Sequence, residues 1–388
     1  MQSDSLSISS TGAGAILALV RSGQATTRAA LMAVTGLSRS TIGQRLDRLI
    51  QAGYLQVIST TISTGGRPVE ALQVNPDYGL LLLAAVGASG FRVAVTDFCG
   101  RMLEVHSETC AITAGPDVIL SRIRTLFLQL LQRTPQGKSA LRGIGIGLPG
   151  PIDFVHKAIV QPPIMQGWDN FSVPGFFAAD FPVPVLMDND VNLMALGEHR
   201  FSYPTEQDLL YLKLGTGIGS GIVMSGKIQR GALGAAGDLG HWFLPDWRSQ
   251  QSLRTCRCGK QGCLEAYSSG WALCDEWQVE SVRMLMLHAD QPALRQRLQA
   301  AGVHQGEALA MAINLLNPAR VIVGGELLNE PLLASLRETV YLRSGALSTR
   351  TLHIDQGPLG ENAGLYGGVA LVTDYLLSPA LVDAVCLR

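Results

Sequence analysis

A chain of 388 residues with 47% hydrophobic content and a net charge of -1 is long enough for two or three cored domains and too balanced for a polyelectrolyte. It holds no apolar run long enough to cross a bilayer and no charged-then-apolar leader, so the expected place is the cytoplasm, without membrane insertion. Seven cysteines, three of them crowded together, fit a reducing compartment better than a disulfide framework.

The first 75 residues carry six Arg (Arg21, Arg28, Arg39, Arg45, Arg48, Arg67) against Asp4, Asp47 and Glu70, a balance of +3 that leaves -4 for the remainder. A basic head on an acidic body suits a modest nucleic-acid contact. Residues 12 to 22 predict a helix that buries Ile16, Leu17 and Leu19 or Val20. Thr26 and Thr27 supply caps for a short helix through Leu31, Met32 and Val34, which Gly36 ends. Ser38 starts a third, running to Ile50 and stopped by Gly53; Leu37, Ile42, Leu46, Leu49 and Ile50 form its inner side. Ser38, Arg39, Ser40, Thr41, Gln44 and Arg45 then lie outward, short polar groups for base edges with Arg for phosphate or guanine. Two strand-like runs, Tyr54 to Ile58 and Val69 to Val74, flank a Gly65-Gly66-Arg67 tip, which reads as a wing with Arg67 suited to a minor groove. The whole is a winged helix-turn-helix over residues 1–75; the plainer alternative is a trihelical protein-docking module.

Asn75-Pro76-Asp77 punctuates the junction to a second unit, residues 76–388. Strand-like runs at Leu80 to Val86, Phe91 to Asp97 and Gly143 to Leu148 alternate with a helix near Val118 to Leu131, an α/β pattern. A similar series resumes at Leu209 to Leu214, Gly221 to Val223 and Val321 to Gly325, with a helical half from Leu264 onward. Two halves of similar texture imply a cleft between them where a ligand sits.

Three motifs carry chemistry. After the apolar run Val183 to Leu186, Asp188-Asn189-Asp190-Val191-Asn192 places polar side chains at a strand end before a helix expected over Leu193 to Arg200. A carboxylate there orients or deprotonates a hydroxyl, or merely caps the helix. Gly215, Thr216, Gly217 and Gly219 bring backbone amides near a ligand, as a phosphate requires, or make an ordinary tight turn. Cys256, Cys258 and Cys263, with His241 upstream, can close a tetrahedral Cys3His zinc site that leaves no open position, which makes the metal structural, or are merely reduced thiols buried as small hydrophobes.

The order of Asn75-Pro76, Gly147-Leu148-Pro149-Gly150, Asn189-Asp190-Val191-Asn192, Leu214 to Gly219, Gly237-Asp238-Leu239-Gly240-His241, the cysteine knuckle and Val323-Gly324-Gly325 resembles the ROK family of repressors and sugar kinases. The attached winged helix is similar to its repressor branch. The resemblance implies a two-lobed, actin-like (RNase H-like) sugar-kinase fold, with lobes over 76–190 plus a C-terminal helix and over 191–368. It implies ligand contacts at Asn189, Asp190, Asp238, His241 and Glu265, with Asp190 matching the base that activates the acceptor hydroxyl in the kinases. Departures lie at Ala85, where the kinase phosphate motif carries Asp, at Asp238, where the family carries Glu, and at Pro163, where members often carry Asn.

Without a carboxylate at position 85, efficient phosphoryl transfer is not expected. The expected function is that of a sugar-responsive transcriptional regulator, a homodimer or homotetramer partnered by operator DNA and a sugar or sugar phosphate. The alternatives are an ATP-dependent sugar kinase with an appended DNA-binding head, and a body that serves as a docking surface for a protein partner.

Overall fold

The computed structural model describes residues 12–60, 69–244 and 253–387. In the head, the helix Ala13–Arg21 buries Ile16, Leu17 and Val20. Thr27 caps the helix Arg28–Thr35 by accepting from the Ala30 N–H at 3.1 Å, and Gly36 ends it in the left-handed conformation. Ser38 caps Arg39–Gln51 by accepting from the Thr41 N–H at 3.2 Å. Ile42, Leu46 and Leu49 of that helix are buried on one stripe, as their spacing requires. Strands Leu55–Thr60 and Val69–Val74 pair antiparallel, as a wing does. The hairpin tip, Arg67 included, lies outside the described residues.

The body contains two five-stranded sheets of one plan. The first has the order Met102–Thr109, Gly90–Asp97, Leu80–Val86, Leu141–Leu148, Val185–Asn189. The second has Lys227–Gln229, Ile218–Met224, Leu209–Leu214, Arg320–Gly324, His353–Gln356. In each, three antiparallel strands continue into two parallel ones. The Met102–Thr109 strand has no counterpart in the sequence reading. It is a sheet edge with no fully buried residue, so it lacks the apolar alternation that marks its neighbours.

Side-chain alternation along Leu80–Val86 divides the interior. Leu80, Leu82, Ala84 and Val86 join the helix Pro116–Arg133 in one core, while Leu81 and Leu83 face the opposite way, toward Leu365, Val369 and Val372. That second core also contains Ile16, Leu17 and Leu46 of the head, so packing runs across the junction at residue 75. Tyr54 stacks on Tyr78 and Tyr78 meets Phe98 edge-on, each pair with centroids 4.7 Å apart. Asn75 ties the joint by donating to the Gly53 carbonyl at 3.0 Å.

One helix boundary differs from expectation. The helix after the first sheet starts at Asp190 rather than Leu193, because Asn189 supplies its cap, and after Gly197 it changes to a π-helical turn over Glu198–Ser202. The helix Ala363–Leu376 runs unbroken through the lobe boundary expected at residue 368. Among the described residues no single helix is long and apolar enough to cross a membrane.

Candidate functional site

Residues 253–264 fold into a knuckle. The Cys256 N–H donates to the Lys260 carbonyl at 2.8 Å and the Gly259 N–H to the Cys256 carbonyl at 2.9 Å. Gly262 has φ +79°, and a side chain there would strike the Phe243 ring, so glycine is required. The turn brings the Sγ atoms of Cys256, Cys258 and Cys263 and one His241 nitrogen within 4.8 Å of one another. Cys258 and Cys263 Sγ are 3.8 Å apart, and Cys256 Sγ is 3.7 Å from His241 Nδ1. A tetrahedral zinc with Zn–S about 2.3 Å and Zn–N about 2.0–2.1 Å spaces two thiolates by about 3.8 Å and a thiolate from an imidazole nitrogen by about 3.6 Å. The donor set therefore fits a divalent metal such as zinc. Burial pushes the Cys256 thiol up to about 12 and the Cys263 thiol upward as well, so without a cation these thiols stay protonated. Bound zinc would make thiolates of them and pin the ring through Nδ1. Nε2 then turns toward the exposed Asp238, whose Oδ1 is 4.0 Å away.

The remaining expected ligand residues surround the hairpin of Leu209–Leu214 and Ile218–Met224. Glu265, at the start of a short helix, accepts from the Ile218 N–H and from Trp271 Nε1, both at 3.0 Å. Gly240, beside His241, lies against the same carboxylate, which links the knuckle to the hairpin turn. Asn189 is largely committed to structure. Its Oδ1 accepts from the Val191 and Asn192 N–H groups and its Nδ2 donates to the Gly150 carbonyl, leaving one amide proton for a ligand. Asp190 opens the helix with 4% of its surface exposed, and Lys213 Nζ sits 2.5 Å from its Oδ2. Oδ1 has no protein partner among the described contacts and is the atom of this pair able to accept from a ligand hydroxyl.

The glycine turn departs from its sequence reading in one respect. Register pairs Leu214 with Ile218, so Gly215, Thr216 and Gly217 form the turn, while Gly219 belongs to the strand and packs on Val191. Gly215 donates to the Gly217 carbonyl and Ile218 to Glu265, which takes two amides from a phosphate cradle. Ala85, one residue before the end of the strand Leu80–Val86, offers no carboxylate to hold a magnesium ion there. Pro163 is exposed.

Sequence reasoning missed two cationic partners. Lys213 interrupts the apolar strand Leu209–Leu214, and that single charge was the available signal. Arg230, from the second lobe, holds the buried Asp188 of the first at 2.6 and 2.8 Å and stacks on the Phe154 ring at 3.9 Å. Nothing in the local sequence marks Arg230, because its partner lies 42 residues away.

On the head, Ser38, Arg39, Ser40 and Gln44 are exposed, and Thr41 and Arg45 half-buried. The Ser38 hydroxyl also bonds those of Ser40 and Thr41 at 2.9 and 2.8 Å, so the cap and its neighbours form one polar cluster at the start of the helix.

The model of the ROK family matches residues 84–375. The xylose repressor of Caldicellulosiruptor bescii is 29% identical over 374 residues, spanning 90% of this chain and 92% of that protein. A solved ROK family transcriptional regulator, described as a homologue of the E. coli Mlc protein, superposes with a TM-score of 0.78 at 23% identity, covering 97% of this chain and 98% of the other. A ROK family glucokinase from Streptomyces griseus, solved with glucose and AMPPNP, gives 0.63 at 25% identity over 76% of this chain and 99% of its own. The fold is thus the two-lobed, actin-like sugar-kinase architecture behind N-terminal helices.

Proposed function

The chain belongs to the ROK family, and we propose that it is a sugar-responsive, DNA-binding transcriptional repressor. The observation that carries this reading is that similarity to the xylose repressor runs through head and body alike, whereas similarity to the glucokinase covers only a part the size of the body. The head binds operator DNA through Ser38, Arg39, Ser40, Thr41, Gln44 and Arg45, with Arg67 reaching the minor groove. A homodimer or homotetramer presents two such helices to a two-fold operator.

In the body, Asn189, Asp190, Asp238, His241 and Glu265 hold a sugar, and zinc on His241, Cys256, Cys258 and Cys263 is structural. The named repressor relative makes d-xylose the first ligand to test. The domain is not catalytic: Ala85 cannot anchor magnesium, and Lys213 neutralises Asp190, the residue that would take the proton from a sugar hydroxyl. A protein that regulates transcription in this way works in the cytoplasm.

Fluorescence anisotropy with DNA from upstream of its own operon tests the reading. Salt-sensitive, sequence-selective binding is expected; its absence with and without d-xylose rejects the reading. The kinase alternative draws on the buried Asp190 carboxylate. A coupled ADP-release assay with d-glucose and d-xylose is expected to show no turnover, and robust turnover lost in Asp190→Asn would establish the kinase instead.

A further inference from the structure

The first helix of the head is gripped at both ends by carboxylates from the C-terminal segment. At its start, Gly14 N–H donates to Asp383 Oδ1 at 2.8 Å; Asp383 belongs to the last helix, Pro379–Cys386. Gly12, the residue at the cap position, has no side chain to do this itself, so Asp383 acts as a cap from elsewhere in the chain. At its end, Arg21 Nη2 donates to Asp374 Oδ1 at 2.6 Å and to the neighbouring Thr373 hydroxyl at 2.9 Å. Asp374 has a second cation. Arg200 binds the same carboxylate with two nitrogens, at 3.0 Å to Oδ1 and 3.2 Å to Oδ2.

Arg200 sits in the π-helical turn that continues the helix opened by Asp190. That helix has no slack on either flank. A Cβ on Gly221 of the second sheet would come 2.6 Å from the Val191 carbonyl oxygen and the Ala195 Cβ. On the other flank, a Cβ on Gly367 would overlap the Leu193 carbonyl oxygen, so the backbones of Asp190–Gly197 and Ala363–Leu376 touch. Close-packed interiors transmit displacement rather than absorb it. A shift of the second lobe against the first therefore bears directly on this helix and, through Arg200, on Asp374.

We infer that Asp374 and Asp383 form a two-point clamp by which the helix leading from Asp190 sets the placement of the DNA-binding head, so that a ligand held at Asp190 is read at the operator. The inference rests on the proposed function for its sugar and its operator. Asp374 and Asp383 are positioning residues: neither belongs to the sugar contacts nor to the DNA face. Asp374 is 41% exposed, but Arg21 at 22% and Arg200 at 32% are largely covered, so Asp374→Asn, which keeps an oxygen between the two guanidinium groups, is the milder variant and Asp374→Ala the costlier one. The Asn variant should thus spare the fold and act on the coupling.

The test uses the full-length protein, d-xylose and the upstream DNA. In the wild type, saturating d-xylose is expected to change operator affinity by about tenfold, within the usual range of allosteric coupling. Asp374→Asn, and more completely Asp374→Ala with Asp383→Ala, should reduce that factor to under about twofold. Sugar affinity and sugar-free operator affinity should each stay within about threefold of wild type, which a merely unfolded head would not allow. A full tenfold response in both variants overturns the inference.

If the wild type binds d-xylose without any change at the operator, the proposed function fails, and hydrogen exchange still decides the clamp. Amides of Ala13–Arg21 should then change exchange rate at least threefold on saturation with d-xylose in the wild type and not in Asp374→Asn; no change in the wild type overturns it. If d-xylose does not bind at all, the same amides compared between Arg200→Met and wild type decide it, since the clamp requires a change of that size and equal rates refute it.

Discussion

His241 is the residue on which two structures depend. Its Nδ1 faces the cysteine sulfurs and its Nε2 faces Asp238, so a metal on one side fixes the tautomer and direction of the other. Cys258→Ser removes one of four ligands and should weaken the knuckle and the ligand contact together. The contact at stake is one charge-assisted hydrogen bond, about 1.5–3 kcal/mol, or roughly 10- to 150-fold in sugar affinity. Melting temperature should fall as well, by roughly 2–4 °C for each kcal/mol of stability lost. Calorimetric sugar titration beside a thermal melt checks both; a lower melting temperature with unchanged sugar affinity would separate the metal from the pocket. The cluster of His241, Cys256, Cys258 and Cys263 that could hold a metal was legible from thiol spacing and one histidine because a knuckle is a local structure. Lys213 and Arg230 were not, because each takes its meaning from a carboxylate in a remote element: Lys213 from Asp190 and Arg230 from Asp188.

Within the Arg39–Gln51 helix, the buried stripe and the proposed DNA face lie on different sides. Leu46 is fully buried, and Leu46→Ala should cost about 2–5 kcal/mol of stability, read as a lower denaturant midpoint. Gln44 is exposed, and Gln44→Ala should leave stability within about 0.5 kcal/mol while weakening operator binding by about 1–3 kcal/mol. Equal operator affinity in Gln44→Ala would remove that residue from the DNA face. This division was visible in the sequence because a helix repeats its buried stripe every three to four residues and the caps Thr27 and Ser38 are where chain chemistry puts them. Elements without such periodicity escaped: the edge strand Met102–Thr109 has no fully buried residue, and the π-helical turn at Glu198–Ser202 takes its partners from the remote Leu359 and Asp374.

At the scale of the whole molecule, two sheets of one topology supply the strand end that leads to Asp190 and the hairpin with the glycine turn, and a small basic head shares its interior with the first of them. The family motifs made the two-lobed body readable, but the continuity of the core from Leu46 through Leu83 to Val369 was not, since those residues meet only after folding. Such a molecule links its two ligands: whatever factor a sugar imposes on operator binding, the operator must impose on sugar binding. The direct measurement is a calorimetric titration of d-xylose into the full-length protein, alone and saturated with its upstream DNA. Sugar affinities that differ by about 5- to 150-fold between the two titrations are expected. Equal affinities, with DNA demonstrably bound throughout, would contradict the account.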